Sequence, residues 1–224
     1  MNTSSSPTPV TVDIVSDVVC PWCFVGKRKL EQALALNADL RAAPRWRPYQ
    51  LDPSIPPDGL DRRAYMERKF GGGDKIAQIH RRLNDVGHET GIRFAFDAIK
   101  RSPNTLDAHR LIRWAESAGA QDAVVERLFK AYFEDGRDIG DRAVLAEIAA
   151  AAGMDSDVVA KLLAGDADKS NVREEIAAAQ RLGVTGVPFF IIGGRYAVAG
   201  AQSPEVLASA MRGALKPQAD ATVA

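Results

Sequence analysis

The sequence predicts an α/β fold in which one sheet is split by a long helical block. Three stretches carry that prediction. Residues 10–19, VTVDIVSDVV, are rich in β-branched side chains with partial alternation, which marks a strand. Residues 61–182 repeat apolar side chains at helical spacing. Residues 183–215, GVTGVPFFIIGGRYAVAGAQSPEVLASAMRGAL, read as a loop, a hairpin and a helix.

In chain order, residues 1–9 are dominated by Ser, Thr and Pro and are expected to form a disordered tail. The first strand is expected to end just before Cys20. A helix follows from Trp22 to about Asn37, with Leu30, Ala33 and Leu34 on one face. PRWRPYQLD (44–52) reads as a second strand, and Pro48 within it argues for an edge or a bulge. PSIPPDG then marks a boundary. In the helical block Ala108, Leu111, Ile112 and Ala115 fall at i, i+3, i+4, i+7. So do Val125, Leu128, Phe129 and Tyr132, and then Leu145, Ile148, Ala149 and Ala152. Breaks fall at GGGD, SPNT, AGAQD, EDGRD and AGMDSD, several of which place Asp, Ser or Asn where a helix needs an N-cap. The closing strands are expected at 188–192 and 195–199 around Gly193-Gly194, with a helix at 204–215. Residues 10–60 and 170–216 are thus expected to share one sheet-bearing domain, into which 61–169 is inserted as a helical domain.

Composition excludes several classes. The chain has 29 Lys and Arg against 29 Asp and Glu, so no net charge favours nucleic acid or an anionic membrane. No apolar run approaches the length of a membrane helix. The opening residues lack the basic start and apolar core of a secretory signal, so the chain reads as cytoplasmic. Two cysteines do not make a disulfide-stapled scaffold.

Those two cysteines lie together in SDVVCPWC, residues 16–23. With a strand ending before Cys20 and a helix starting near Pro21, Cys20 takes the N-cap. Unpaired backbone N–H groups and the helix dipole there favour a thiolate, expected to be exposed and activated. Pro21 loses nothing at the first helical position, where its missing N–H would have been unpaired anyway. Cys23 lies one turn on, placed to close a disulfide and release a mixed one. Three other readings compete. A structural disulfide would close too short a loop to stabilise much. A zinc site lacks ligands, because His80, His88 and His109 share no metal-binding spacing with the cysteines. Two inert buried thiols are the third.

CPWC together with GVTGVPFF (183–190) resembles the thioredoxin superfamily, and within it the DsbA-like branch with a helical insertion. The FrnE-like members are similar in SDVVCPWC, in PNTLDAHRL (103–111) and in GVTGVPFFIIGGRYAVAGAQ (183–202). The resemblance runs over about residues 11–215. It implies a thioredoxin fold with a large all-helical insertion, and a thiol–disulfide oxidoreductase or isomerase. Cys20 resembles the attacking cysteine, Cys23 the resolving one, and Pro188 a cis-proline facing them. That cis-proline would present the backbone of Val187 to an extended substrate segment.

Trp22 offers an apolar face for substrate contact, or packs on the inserted helices instead. Pro21 is grouped with it as substrate-binding. Asp17 reads as a turn residue, with proton acceptance near the pair as the second reading. The Lys27-Arg28-Lys29 run reads as a solvated face, FGGGDK (70–75) as a flexible interhelical loop, with movement over the site as its second reading, and His109 as structural, with a role near the site as its second reading. The expected substrate is a disulfide or dithiol, protein or small molecule, without metal or bound cofactor. Glutathione is left open as a redox partner, as is a homodimer. Two other function classes were weighed. Kappa-class glutathione transferases and 2-hydroxychromene-2-carboxylate isomerases share the fold but bear serine where Cys20 stands. Their expected acidic residue and hydroxyl for glutathione have no clear counterpart in GAQSPE. A non-catalytic binding module is the other, and a link to polyketide biosynthesis has no residue behind it.

Overall fold

The structure is a computed structural model that describes residues 9–216. The expected tail lies almost wholly outside these residues. Strand β1 (Val10–Ser16) leads through a turn into helix α1 (Pro21–Leu36) and strand β2 (Ala42–Pro48). A two-residue strand β3 (Leu60–Asp61) opens the inserted block. Helices α2 (Arg62–Phe70) and α3 (Gly73–Thr90), strand β4 (Arg101–Ser102), and helices α4 (Leu106–Ser117), α5 (Gln121–Phe133), α6 (Arg142–Ala151), α7 (Ser156–Ala164) and α8 (Lys169–Arg181) follow. Strands β5 (Phe189–Ile192) and β6 (Tyr196–Ala199) and helix α9 (Pro204–Leu215) close the chain. The main sheet has the order β2-β1-β5-β6, with β1 parallel to β2 and antiparallel to β5. Together with α1 and α9 it forms a thioredoxin fold, interrupted by the helical insertion.

Several boundaries differ from expectation for local reasons. β1 ends at Ser16, not Val19, because Asp17 turns the chain: its carbonyl accepts the Cys20 N–H at 2.9 Å. β2 begins at Ala42, opposite Val10, and ends at Pro48, opposite Ser16, with the next residue, Tyr49, donating its N–H to the Ser16 carbonyl at 3.0 Å. Pro48 does sit on an edge strand, as its missing donor requires. The insertion is not wholly helical, since β4 pairs with β3 through Leu60–Ser102 and Asp61–Arg101. The last hairpin turns over Gly193, Gly194 and Arg195. Both glycines have positive φ, 59° and 66°, and the Arg195 N–H donates to Ile192 O. The anticipated breaks fall between helices, but only Asp155, in AGMDSD, supplies the expected side-chain cap there; in GGGD, SPNT and AGAQD, Gly72, Thr105 and Ala120 take the N-cap without a side-chain bond. Asp61 and Asp141, outside those breaks, cap α2 and α6 by accepting a backbone N–H from the first turn. No helix among the described residues is long and apolar enough to cross a membrane.

One core joins the sheet to the insertion. Of the predicted helix faces, Leu111, Val125, Leu128, Phe129 and Leu145 are fully buried in it, while Leu34 and Ala152 pack against it partly buried. Phe24 of α1 stacks on Phe129 of α5 with centroids 5.0 Å apart, and Phe133 lies 6.2 Å from Phe24. Burying each such ring contributes about 2–3 kcal/mol. The helix that begins at Cys20 is therefore bolted to the insertion as well as to the sheet.

The Lys27-Arg28-Lys29 run corrects the reading of a solvated face. Lys27 is 3% exposed and pairs with Glu31, with Asp122 at 3.1 Å and with Glu126 at 3.2 Å. Arg28 pairs with Glu126 at 2.5 Å and lies over the Phe24 ring. Burial of the Glu126 carboxyl works against its charge, but the Arg28 hydrogen bond and the Lys27 and Arg28 charges outweigh it and pull its pKa down to about 2. A carboxylate lowered on folding stabilises the native state above the ordinary value near 4.5. That contribution is lost as pH falls towards 2. Glu126→Gln is therefore expected to lower stability at pH 7 by roughly 2–3 kcal/mol, with the gap from wild type shrinking towards zero near pH 2. Urea midpoints at pH 7, 4 and 2.5 measure it, and a gap that does not narrow with acid would contradict the assignment.

Candidate active site

Cys20 sits at the N-cap of α1, with Pro21 at the first helical position and no side-chain cap bond. Its carbonyl accepts the N–H groups of Cys23 at 3.0 Å and Phe24 at 3.4 Å, so the sulfur is left free of backbone duty. The thiol donates instead across the fold, to the carbonyl of Val187 at 3.6 Å. The Val187–Pro188 peptide bond is cis. Pro188 approaches α1 at Gly26, where an added Cβ would lie only 2.9 Å from the proline ring. A glycine mid-helix costs about 1 kcal/mol against alanine, so Gly26 is there for this close approach. The structure thus brings Cys20, Val187 and Pro188 together from opposite ends of the chain.

Both cysteines are free thiols and both are buried, Cys20 at 5% exposure and Cys23 at 1%. The expectation of an exposed attacking sulfur needs correction: Cys20 reaches outside only through a cleft. Cys23 lies deeper. Burial pushes its pKa well above the ordinary thiol value. The hydrogen bond and charge of Cys20 push the same way, while the Ser16 hydroxyl and the backbone of Asp17 partly offset them.

The cleft, of about 330 Å³, is bounded by the Cys20 turn, the segment around Asp52, and α2 and α3 of the insertion. Pro21, Trp22 and Val187 line it beside Cys20. Trp22 is half-buried: it borders the cleft and packs against the core, with Arg82 of α3 lying 5.6 Å from its ring centre. The FGGGDK segment joins α2 to α3, and Phe70 and Lys69 at the end of α2 reach the cleft.

Asp17 is more than a turn residue. It is 1% exposed; one carboxylate oxygen accepts the Leu51 N–H at 2.8 Å and the other lies 3.4 Å from His109 Nε2. His109, in PNTLDAHRL at the start of α4, is therefore set directly behind the turn that leads to Cys20. In the same segment Asn104 ties down the Asp52 loop through Gln50 Nε2 and the carbonyl of Ile55. Arg62, Tyr65, His80 and Tyr132 also line the cleft. Sequence reading passed over their part in the site, because they come from three separate helices, α2, α3 and α5, and their spacing shows no motif. Among the described residues no group of three or more His, Cys, Asp or Glu side chains could hold a metal ion.

Comparison with known proteins agrees with this geometry. SCO1869 of Streptomyces coelicolor, described as a probable DsbA oxidoreductase, is 32% identical in sequence and superposes with a TM-score of 0.84, over 93% of this chain and 91% of that one. The uncharacterized protein YwbO of Bacillus subtilis (strain 168) is 27% identical over 185 residues, 82% of this chain and 87% of its own. The cytosolic disulfide reductase DsbM of Pseudomonas aeruginosa, in its structure with GSH, shares the fold: TM-score 0.63 at 21% identity, over 91% of this chain and 98% of that one. The family model of the DSBA-like thioredoxin domain matches residues 11–212, nearly the whole described chain, and the protein belongs to that family.

Proposed function

We propose that the protein is a thiol–disulfide oxidoreductase whose redox pair is Cys20 and Cys23. The observation that carries this reading is the Cys20 thiol at a helix N-terminus, facing the Val187 carbonyl beside a cis proline, with a second thiol one turn behind it. Cys20, which borders the cleft where Cys23 does not, is the attacking sulfur and reacts as its thiolate. The thiolate displaces one sulfur of a substrate disulfide, which leaves as a thiolate and takes up a proton. Cys23 then gives up its proton and attacks Cys20 Sγ. The mixed disulfide breaks, the second substrate thiol leaves, and two electrons have passed from the protein dithiol to the substrate. The reverse sequence oxidises a substrate dithiol, and isomerisation combines the two. Direction follows the potential of the pair against that of its compartment.

In this reading Val187 and Pro188 form the wall against which the substrate lies, and Pro21 and Trp22 contact it. A cytoplasmic setting and glutathione as electron donor belong to the same proposal, supported by the fold shared with DsbM. A glutathione-conjugating activity would leave the two thiols without a task.

The test is Cys20→Ser, assayed by insulin reduction, by reactivation of scrambled ribonuclease and by glutathione conjugation of a standard electrophile. Loss of at least 100-fold in the first two supports the proposal. Unchanged reduction and reactivation, or conjugation that persists in the variant, would sink it.

A further inference from the structure

The cleft beside Cys20 has a composition that selects among disulfides. Its walls are largely apolar, with Leu51, Ile55, Met66, Ile79, Leu83 and Phe96 among the lining side chains. Its two carboxylates are already engaged. Asp17 takes the Leu51 N–H and faces His109, and Asp52 accepts from the Ser54 N–H at 3.1 Å and from the Tyr65 hydroxyl at 3.1 Å. The lining cations differ. Lys69, at the exposed end of α2, donates to the Tyr65 hydroxyl at 2.8 Å. Arg62 is half-buried, and among the described residues its guanidinium donates only to the neutral Tyr132 hydroxyl, at 2.9 Å, and lies 5.7 Å from that ring centre. Among the described residues Arg62 forms no ion pair. Beside it His80, stacked on Phe96 at 4.2 Å, keeps a buried Nε2 without a hydrogen-bond partner.

A half-buried guanidinium with several free N–H donors, set in an apolar cleft, is built to meet an anion, and bidentate pairing makes a carboxylate its best match. The volume lies at the small end of what low-mass ligands occupy. A protein disulfide would have to bring two flanking chains past α2 and α3 to reach a sulfur that is 5% exposed.

We propose that this cleft takes a low-mass disulfide or thiol with an apolar body and a carboxylate, the sulfur meeting Cys20 and the carboxylate pairing with Arg62. This rests on the oxidoreductase reading and adds the substrate class to it. The exchange is the one already balanced, with two substrate thiols released per protein dithiol oxidised.

The experiment uses the reduced full-length chain in stoichiometric single turnover. Bis(4-carboxybenzyl) disulfide and bis(4-carbamoylbenzyl) disulfide have the same benzylic sulfur and differ in charge. Insulin and glutathione disulfide are the other two arms. The carboxylate compound is expected to react at least tenfold faster than the carbamoyl compound and faster than insulin or glutathione disulfide. Arg62→Gln is expected to bring the ratio of the two benzyl compounds near one, and Arg62→Lys to keep part of it. Equal rates for the two in wild type, a ratio that survives Arg62→Gln, or faster reaction with insulin or glutathione disulfide overturns the substrate class while leaving the redox pair standing. If none of the four oxidises the pair, the oxidoreductase reading itself has failed, and the substrate class falls with it.

Discussion

Replacing Arg110 by Met is expected to destabilise the protein by about 3–5 kcal/mol, the largest stability loss from any single polar side chain in the fold. Arg110, on α4, is completely buried. Its guanidinium donates to the carbonyls of Leu162 at 2.5 Å, Gly165 at 2.9 Å and Ala167 at 2.6 Å, and pairs with Asp107 at 2.7 Å. It also lies 5.0 Å from the Trp114 ring centre. The carbonyls of Leu162 and Gly165 belong to the C-terminal end of α7, which has no donor of its own for them. One cation therefore caps α7, holds the connection to α8 and neutralises Asp107. Met fills much of the volume and supplies none of the donors. Arg110→Lys is expected to rescue little, because an ammonium group cannot span three divergent carbonyls. Urea and thermal unfolding measure the loss, and a Tm drop of roughly 8–15 °C follows for a chain of this size. Arg113→Gln, a half-exposed neighbour paired with Asp168 and Glu175, serves as the control and is expected to cost under about 1 kcal/mol. If Arg110→Met proves as mild as that control, the capping role is wrong.

What could be read from the sequence was the part encoded locally. Pro21 after Cys20, the Gly193-Gly194 pair, and Asp155 in the AGMDSD break each constrain their own few residues. The hairpin, the start of α7 and the N-cap position of Cys20 followed from them. The cis state of Val187–Pro188 was not visible in local pattern. It came from likeness to a family, and in the structure Gly26 provides the space for it.

The rest depends on contacts between distant segments. Lys27 looks like any surface lysine until α5 places Asp122 and Glu126 against it. Asp17 and His109 are 92 positions apart, and only the docking of α4 behind the redox turn brings them to 3.4 Å. Arg62 gives no sign in the sequence of lacking an acidic partner. β3 and β4, two residues each, are too short to show a period at all. The exposure of Cys20 was misjudged for the same reason: the wall that covers it is built from α2 and α3, whose placement no local pattern records.

Replacing Cys23 by Ser is expected to stop turnover at a trapped intermediate. The asymmetry of the pair predicts it. Cys20 borders the cleft, whereas Cys23 lies beneath it and is held protonated by burial, by the Cys20 hydrogen bond and by the Cys20 charge. Two of those three influences come from Cys20 as a free thiol or thiolate. Once Cys20 is tied up in a mixed disulfide, its charge is gone and its hydrogen bond is weakened. Cys23 then ionises more readily, helped by the Ser16 hydroxyl and the Asp17 backbone. On the proposed mechanism the second step is thus switched on by completion of the first. A serine hydroxyl at this position cannot displace a thiolate from sulfur. Reduced Cys23→Ser protein mixed with a small disulfide is therefore expected to release one thiol per chain where wild type releases two. Its mass should rise by one substrate half, and multiple turnover should fall at least 100-fold. Dithiothreitol should reverse the adduct, and Cys20→Ser should form none. Release of two thiols by Cys23→Ser, or an adduct on Cys20→Ser, would mean that the roles of the two sulfurs have been assigned the wrong way round.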